Sequence, residues 1–287
     1  MLLSATFMGF GGLFVKFMPV SVYGVLEYRG LFGFAWSTII LLLMRKLGMI
    51  PKILKYWRQL IVICLTTILT VLFYFSAIDI SGLATAAFLL YNGNLICVLF
   101  LTVFMKEKSP RVIYLSYLIA IIGVFLIMQP WKAINLSWGL LMGLLSALML
   151  GSLTFTRKLL YKQISQEPVE EQLDKNDVSA LLTWYSTLGL AIALSFVFFI
   201  EGPSMMLPSS VIGGILLGLF PTALAFTLYN IALQKDKGGN IIIIAYAEPF
   251  VASIIELIVF HVFSIFVLIG GCLIIVGNAI ALFSKNN

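Results

Sequence analysis

Residues 59–105 read QLIVICLTTILTVLFYFSAIDISGLATAAFLLYNGNLICVLFLTVFM and contain one charged side chain, Asp79. Two apolar runs, 59–78 and 80–105, meet there, with Ser81-Gly82 just beyond. A membrane helix needs about 20 apolar residues, whereas a transmembrane strand uses about 10 with strict alternation. Neither run alternates. The stretch therefore predicts two membrane helices joined by a tight turn and argues against a β-barrel.

Outward from this pair the pattern repeats. Runs 112–131, 133–156, 178–200 and 202–234 also lack Asp, Glu, Lys and Arg. The predicted fold is an all-α integral membrane protein with ten transmembrane helices. They fall near 1–18, 22–44, 59–78, 82–105, 111–129, 136–157, 178–200, 209–233, 239–260 and 263–283. Composition agrees: 61% of the 287 residues are hydrophobic, only 10% are charged, and mean hydropathy is +1.09. A soluble domain carries about 25% charged residues, and a disordered chain would lack the 14% aromatics seen here. The net charge of +6 then bears on orientation more than on nucleic acid, which is not an expected partner.

Basic residues are distributed unevenly over the connections. Arg45, Lys46, Lys52, Lys55 and Arg58 follow the second span, Lys106, Lys108 and Arg111 the fourth, and Arg157, Lys158, Lys162 and Lys175 the sixth. Lys235 and Lys237 follow the eighth and Lys285 is in the tail, while the alternate connections hold only Lys16 and Lys132. The positive-inside rule places both termini in the cytoplasm of a multi-pass protein of the cell membrane. The amino terminus lacks the basic region and cleavage site of a signal peptide. The acidic 158–177 connection reads as a solvated linker.

Several chemistries are disfavoured. Cys64, Cys97 and Cys272 lie in apolar runs without CxxC spacing, so no metal site or disulfide framework is expected. The lone histidine, His261, excludes HExxH, and no nucleotide-binding loop occurs. No cofactor is expected.

The second half echoes the first. At a shift of 155, Thr67, Leu69, Tyr74, Ala77 and Tyr91 fall on Thr222, Leu224, Tyr229, Ala232 and Tyr246. At a shift of 142, Leu2-Leu3-Ser4-Ala5 falls on Leu144-Leu145-Ser146-Ala147. Two five-helix repeats, 1–130 and 136–284, are predicted. Five is odd, so the halves enter the membrane in opposite senses, the inverted symmetry of alternating-access transporters.

These features carry a family resemblance. The chain resembles EamA-type members of the drug/metabolite transporter superfamily in Phe73-Tyr74-Phe75-Ser76-Ala77, the turn at 106–109, Gly123, Tyr229-Asn230-Ile231-Ala232, Glu248-Pro249 and Arg29. It departs from that pattern at Asn94 and Val262. The resemblance implies ten helices in two repeats and export of amino acids or related metabolites.

Candidate site residues follow from polarity inside apolar spans. Glu248 is costly there and should face a cavity, and Pro249 removes a backbone donor beside it. Tyr91, Asn94 and Tyr246, with Tyr74, Tyr229 and Asn230, supply hydroxyls, amides and rings for a polar metabolite. Glu256, Glu27 and Arg29 are candidates for coupling or charge pairing. Glu27 and Arg29, two apart, should point to different sides of their helix, leaving Arg29 to seek Glu256. Gly139, Gly143, Ala147 and Gly151 form a small-residue packing ladder. Pro221 should free the carbonyl of Leu217.

The leading expectation is a secondary transporter of a small organic solute, with the lipid bilayer and a small-molecule substrate as partners. Monomer and homodimer both remain open. A membrane-embedded lipid-modifying enzyme and a non-transporting scaffold are the alternatives.

Overall fold

The structure is a computed structural model that describes residues 2–104, 112–129, 138–168, 173–229 and 247–286. Among the described residues all regular structure is helical. In hydrocarbon each segment must satisfy its own backbone, which a helix does. The first stretch is α1 (Leu2–Gly9) and α2 (Gly11–Phe17), broken at Phe10. Next come α3 (Val22–Leu43), two short 3-10 turns (Leu47–Met49 and Lys52–Tyr56) and α4 (Trp57–Ser81). The fourth stretch is split into α5 (Leu83–Leu90) and α6 (Gly93–Phe104). Then follow α7 (Val112–Met128), α8 (Trp138–Ile164), α9 (Lys175–Leu194), α10 (Val197–Glu201) and α11 (Pro208–Leu217). A π-helical segment, Gly218–Leu224, continues α11, and helix resumes to residue 229. The chain closes with α12 (Ala247–Phe260) and α13 (Ile265–Asn286).

Among the described residues six helical stretches are long and apolar enough to cross a membrane, and Leu2–Phe17, Tyr114–Met128 and Ile265–Ile280 are shorter apolar helices. This is a multi-pass membrane protein. Its largest exposed faces are greasy, as lipid contact requires: Phe104, Tyr114, Ile121, Phe199 and Ile200 all point outward.

The interior is built by pairing. Helix α4 packs on α8, α3 on α9, and α7 on α13; α5 and α6 both lie on α8, and α12 lies between α1 and α5. The small-residue ladder explains the α8 contacts. A Cβ on Gly143 would meet Leu89, and one on Gly151 would meet Ile96 and the Gly93 carbonyl. The α7–α13 crossing is reciprocal: Gly123 faces the Gly270 carbonyl and Ile274, while Gly270 faces the Gly123 carbonyl and Ile127. Hydroxyls inside spans are absorbed locally, as when Thr67 and Thr70 donate to the carbonyls of Ile63 and Thr66 at 2.7 and 2.6 Å.

Pro221 behaves as its chemistry dictates. It sits within the π segment, and the Thr222 hydroxyl donates to the Leu217 carbonyl at 3.0 Å, meeting the acceptor that proline leaves unpaired.

Two expectations need correction at the basic end. Helix α8 was expected to stop at residue 157 but runs to Ile164. Arg157 is therefore a helix residue, not a loop residue, because Leu160 and Ile164 continue the buried face begun by Leu153. The 158–177 connection is also not a free linker. Lys46 pairs with Asp177 at 2.6 Å and Lys55 with Glu167 at 2.8 Å, tying it to the 45–58 connection.

Candidate substrate site

Glu248 stands in the first turn of α12 and is 6% exposed. Its two carboxylate oxygens accept hydrogen bonds from the hydroxyls of Tyr91, at 3.0 Å, and Tyr74, at 3.4 Å. Tyr74 comes from α4. Tyr91 comes from the break between α5 and α6, where the helix cannot continue its ladder. There the Asn92 amide side chain donates to the Leu89 carbonyl at 3.1 Å, and the Asn94 backbone N–H donates to the Tyr91 carbonyl at 3.3 Å. Broken helices at membrane depth are tolerated where protein or a cavity covers them. Gly9 lets α1 close over the same place, since a Cβ there would collide with Val251 beside the Glu248 carbonyl.

Arg29, on α3, completes the charge arrangement. It lies within electrostatic reach of Glu248 and Tyr74, and its guanidinium covers the Phe75 ring at 5.2 Å. Among the described residues no acceptor hydrogen-bonds to it. The expected Arg29–Glu256 pair does not form. Glu256 instead accepts the backbone N–H groups of Leu83 and Ala84, each at 3.1 Å, at the start of α5. An acid is favoured at a helix amino terminus, where donors are unpaired and the dipole is positive. Gly82 serves this contact in two ways. Its φ of 91° turns the chain, and its missing Cβ leaves room for the Glu256 carboxylate. Helix α12 thus brackets α5, with Glu256 at its start and Glu248 against the Tyr91 that ends it.

The remaining candidates separate. Glu27 is 2% exposed, and its Oε2 has no hydrogen-bond partner. Asn94 is half-buried in the first turn of α6. Tyr229 stands near Arg157 and Tyr161 rather than Glu248. Asn230 and Tyr246 lie outside the described residues, as does Ala245, whose carbonyl Pro249 was expected to free. A cavity of about 280 Å³ opens at the start of α5, lined by Ser81, Thr85, Gln129, Ser253, Glu256 and Ser264 among others.

A buried carboxylate held by two phenols, with a nearby guanidinium, can bind a cationic or zwitterionic group or carry a proton. Among the described residues no group of His, Cys, Asp and Glu could hold a metal.

A multi-pass helical bundle with a buried carboxylate beside a broken span is an architecture that membrane transporters use. The sequence profile of the EamA-like transporter family matches residues 137–283, more than half of the chain, and the protein belongs to that family. Along its whole length it is similar to an uncharacterized transporter of Archaeoglobus fulgidus, with 27% identity over 280 residues, covering 97% of this chain and 93% of that one. A crystal structure with 18% identity superposes with a TM-score of 0.62, covering 98% of this chain and 96% of the other, and so shares the fold.

Proposed function

We propose that the protein is a secondary transporter that exports a small organic metabolite, an amino acid or related compound, across the cell membrane by alternating access. Ten spans form two inverted repeats, 1–130 and 136–284, with both termini in the cytoplasm.

The helix neighbours support the repeat. Renumbering each span by five exchanges one contact for another. The third span on the sixth (α4 on α8) becomes the eighth on the first (the π segment on α1), and the fourth on the sixth becomes the ninth on the first (α12 on α1). The pairs α3–α9, α5–α12 and α7–α13 map onto themselves. The reciprocal α7–α13 crossing matches Gly123 with Gly270 and Ile127 with Ile274, a local register of 147 rather than 155. Two halves that share a contact pattern can exchange conformations about a site near the midplane.

The observation that carries the functional reading is the Glu248 carboxylate clasped by Tyr74 and Tyr91 at the span break. All three belong to membrane spans, where an ionisable group is costly and faces the bundle interior or a solute path. Uptake of radiolabelled amino acids into proteoliposomes by counterflow tests it. Wild-type protein is expected to exchange at least one of them above empty liposomes, and Glu248→Ala is expected to lose that exchange.

A further inference from the structure

Arg157 carries a buried donor without an acceptor among the described residues: its Nε is enclosed and unpartnered, while the residue as a whole is half-buried. The ionisable groups within electrostatic reach of it are Tyr161, one turn along α8, Tyr229, beyond the π segment, and Cys64 on α4. None is an acid of the carboxylate kind, and among the described residues no carboxylate pairs with the guanidinium. Arg29 differs, having Glu248 within reach and Phe75 beneath it. A buried donor left without an acceptor is unfavourable, and a ligand oxygen would supply that acceptor.

The place is informative. Cys64 precedes Tyr74 by ten residues on α4, so the Arg157 cluster lies about 15 Å from the Glu248 clasp toward the basic end. A solute passing between Glu248 and the cytoplasm would meet it. Lys158 and Lys162, on the same helix, are exposed, which leaves Arg157 as the single cation of the cluster among the described residues. One guanidinium balances a monoanion and presents paired donors that match a carboxylate. A phosphate dianion would leave a negative charge buried. The surroundings are otherwise apolar, with Leu153, Leu160 and Ile63 in the adjoining core.

We infer that Arg157, with the hydroxyls of Tyr161 and Tyr229, forms an inner subsite that takes the carboxylate of the transported organic solute. This rests on the transport reading and narrows its substrate class to carboxylates; lying about 15 Å from Glu248, the subsite is occupied at a separate stage of the passage and not together with Glu248. Cys64 is a native reporter, being half-buried beside Arg157 with its thiol near the Tyr185 carbonyl at 3.5 Å.

The test uses full-length protein in nanodiscs, with Cys97 and Cys272 replaced by alanine, and follows maleimide labelling of Cys64. Sodium butyrate is expected to slow labelling. Butyramide, the same size without the charge, should need about tenfold higher concentration, because the charge-assisted hydrogen bonds are lost. Arg157→Gln should abolish the difference and Arg157→Lys partly restore it. Glu248→Gln should leave it intact, so a failure of the Glu248 reading in flux assays is distinguishable from a failure here. Equal protection by butyrate and butyramide overturns the subsite, as does butyrate protection that survives in Arg157→Gln. Inorganic phosphate protecting as well as butyrate overturns the carboxylate assignment. The three-ligand comparison on protein with native Arg157 stands even where Arg157→Gln folds poorly.

Discussion

At the scale of single residues, the proposed function rests on Glu248 and its two phenols. Tyr91 donates at 3.0 Å and Tyr74 at 3.4 Å, so the two are not equivalent. A hydrogen bond to a charged group is worth roughly 1.5–3 kcal/mol. Tyr91→Phe should therefore weaken apparent substrate affinity by about tenfold or more, and Tyr74→Phe by less; counterflow as a function of substrate concentration measures both. Arg29 is a different case. Arg29→Gln removes the cation facing Glu248, and folded yield by fluorescence-detected size exclusion should fall. Glu248→Gln in the same chain should restore yield, because no buried charge is then left alone. Yield that falls equally in the double variant would make Arg29 a packing residue. Glu248, Tyr74 and Tyr91 were legible in the sequence because polar groups stand out in apolar runs. Arg157 was not, since Arg157-Lys158 reads as the end of a span. The signal present but unused was Leu160 and Ile164, which carry the helical period past it.

Elements explain why those residues meet. Helix α5 is held at its start by Glu256 and at its end by the Tyr91–Glu248 contact, both from α12. Glu256→Ala removes an acid from a helix amino terminus and should cost about 0.5–2 kcal/mol. Thermal unfolding in detergent should show the loss, while surviving protein keeps its transport. Sequence could flag Glu256 as buried but could not show that the start of α5 lies against it, since that depends on two helices far apart in the chain. The glycine ladder on α8 was legible from spacing alone. Gly143→Val places carbon against the Leu89 side chain, and overpacking of this kind costs about 1–3 kcal/mol. Gly48→Ala, where a Cβ meets nothing within 4 Å, should be neutral in the same assay.

For the whole molecule, the all-helical, multi-pass character was legible in the sequence, because lipid imposes length and apolarity on each span. Interhelical detail was hidden for the opposite reason: membrane helices pack by shape, and shape is not written in hydropathy. The topology makes a direct prediction. Cysteine at Gln166 should react with an impermeant reagent only in inside-out vesicles, and cysteine at Ser195 only in intact cells; the reverse at either site contradicts the inverted arrangement. The most direct measurement of the central claim is flux into proteoliposomes under an imposed pH gradient, comparing wild type with Glu248→Gln. The account predicts uphill accumulation of labelled substrate by wild type, and downhill exchange without accumulation by Glu248→Gln. Glu248→Gln accumulating substrate as wild type does, or wild type giving no flux above empty liposomes, would contradict it.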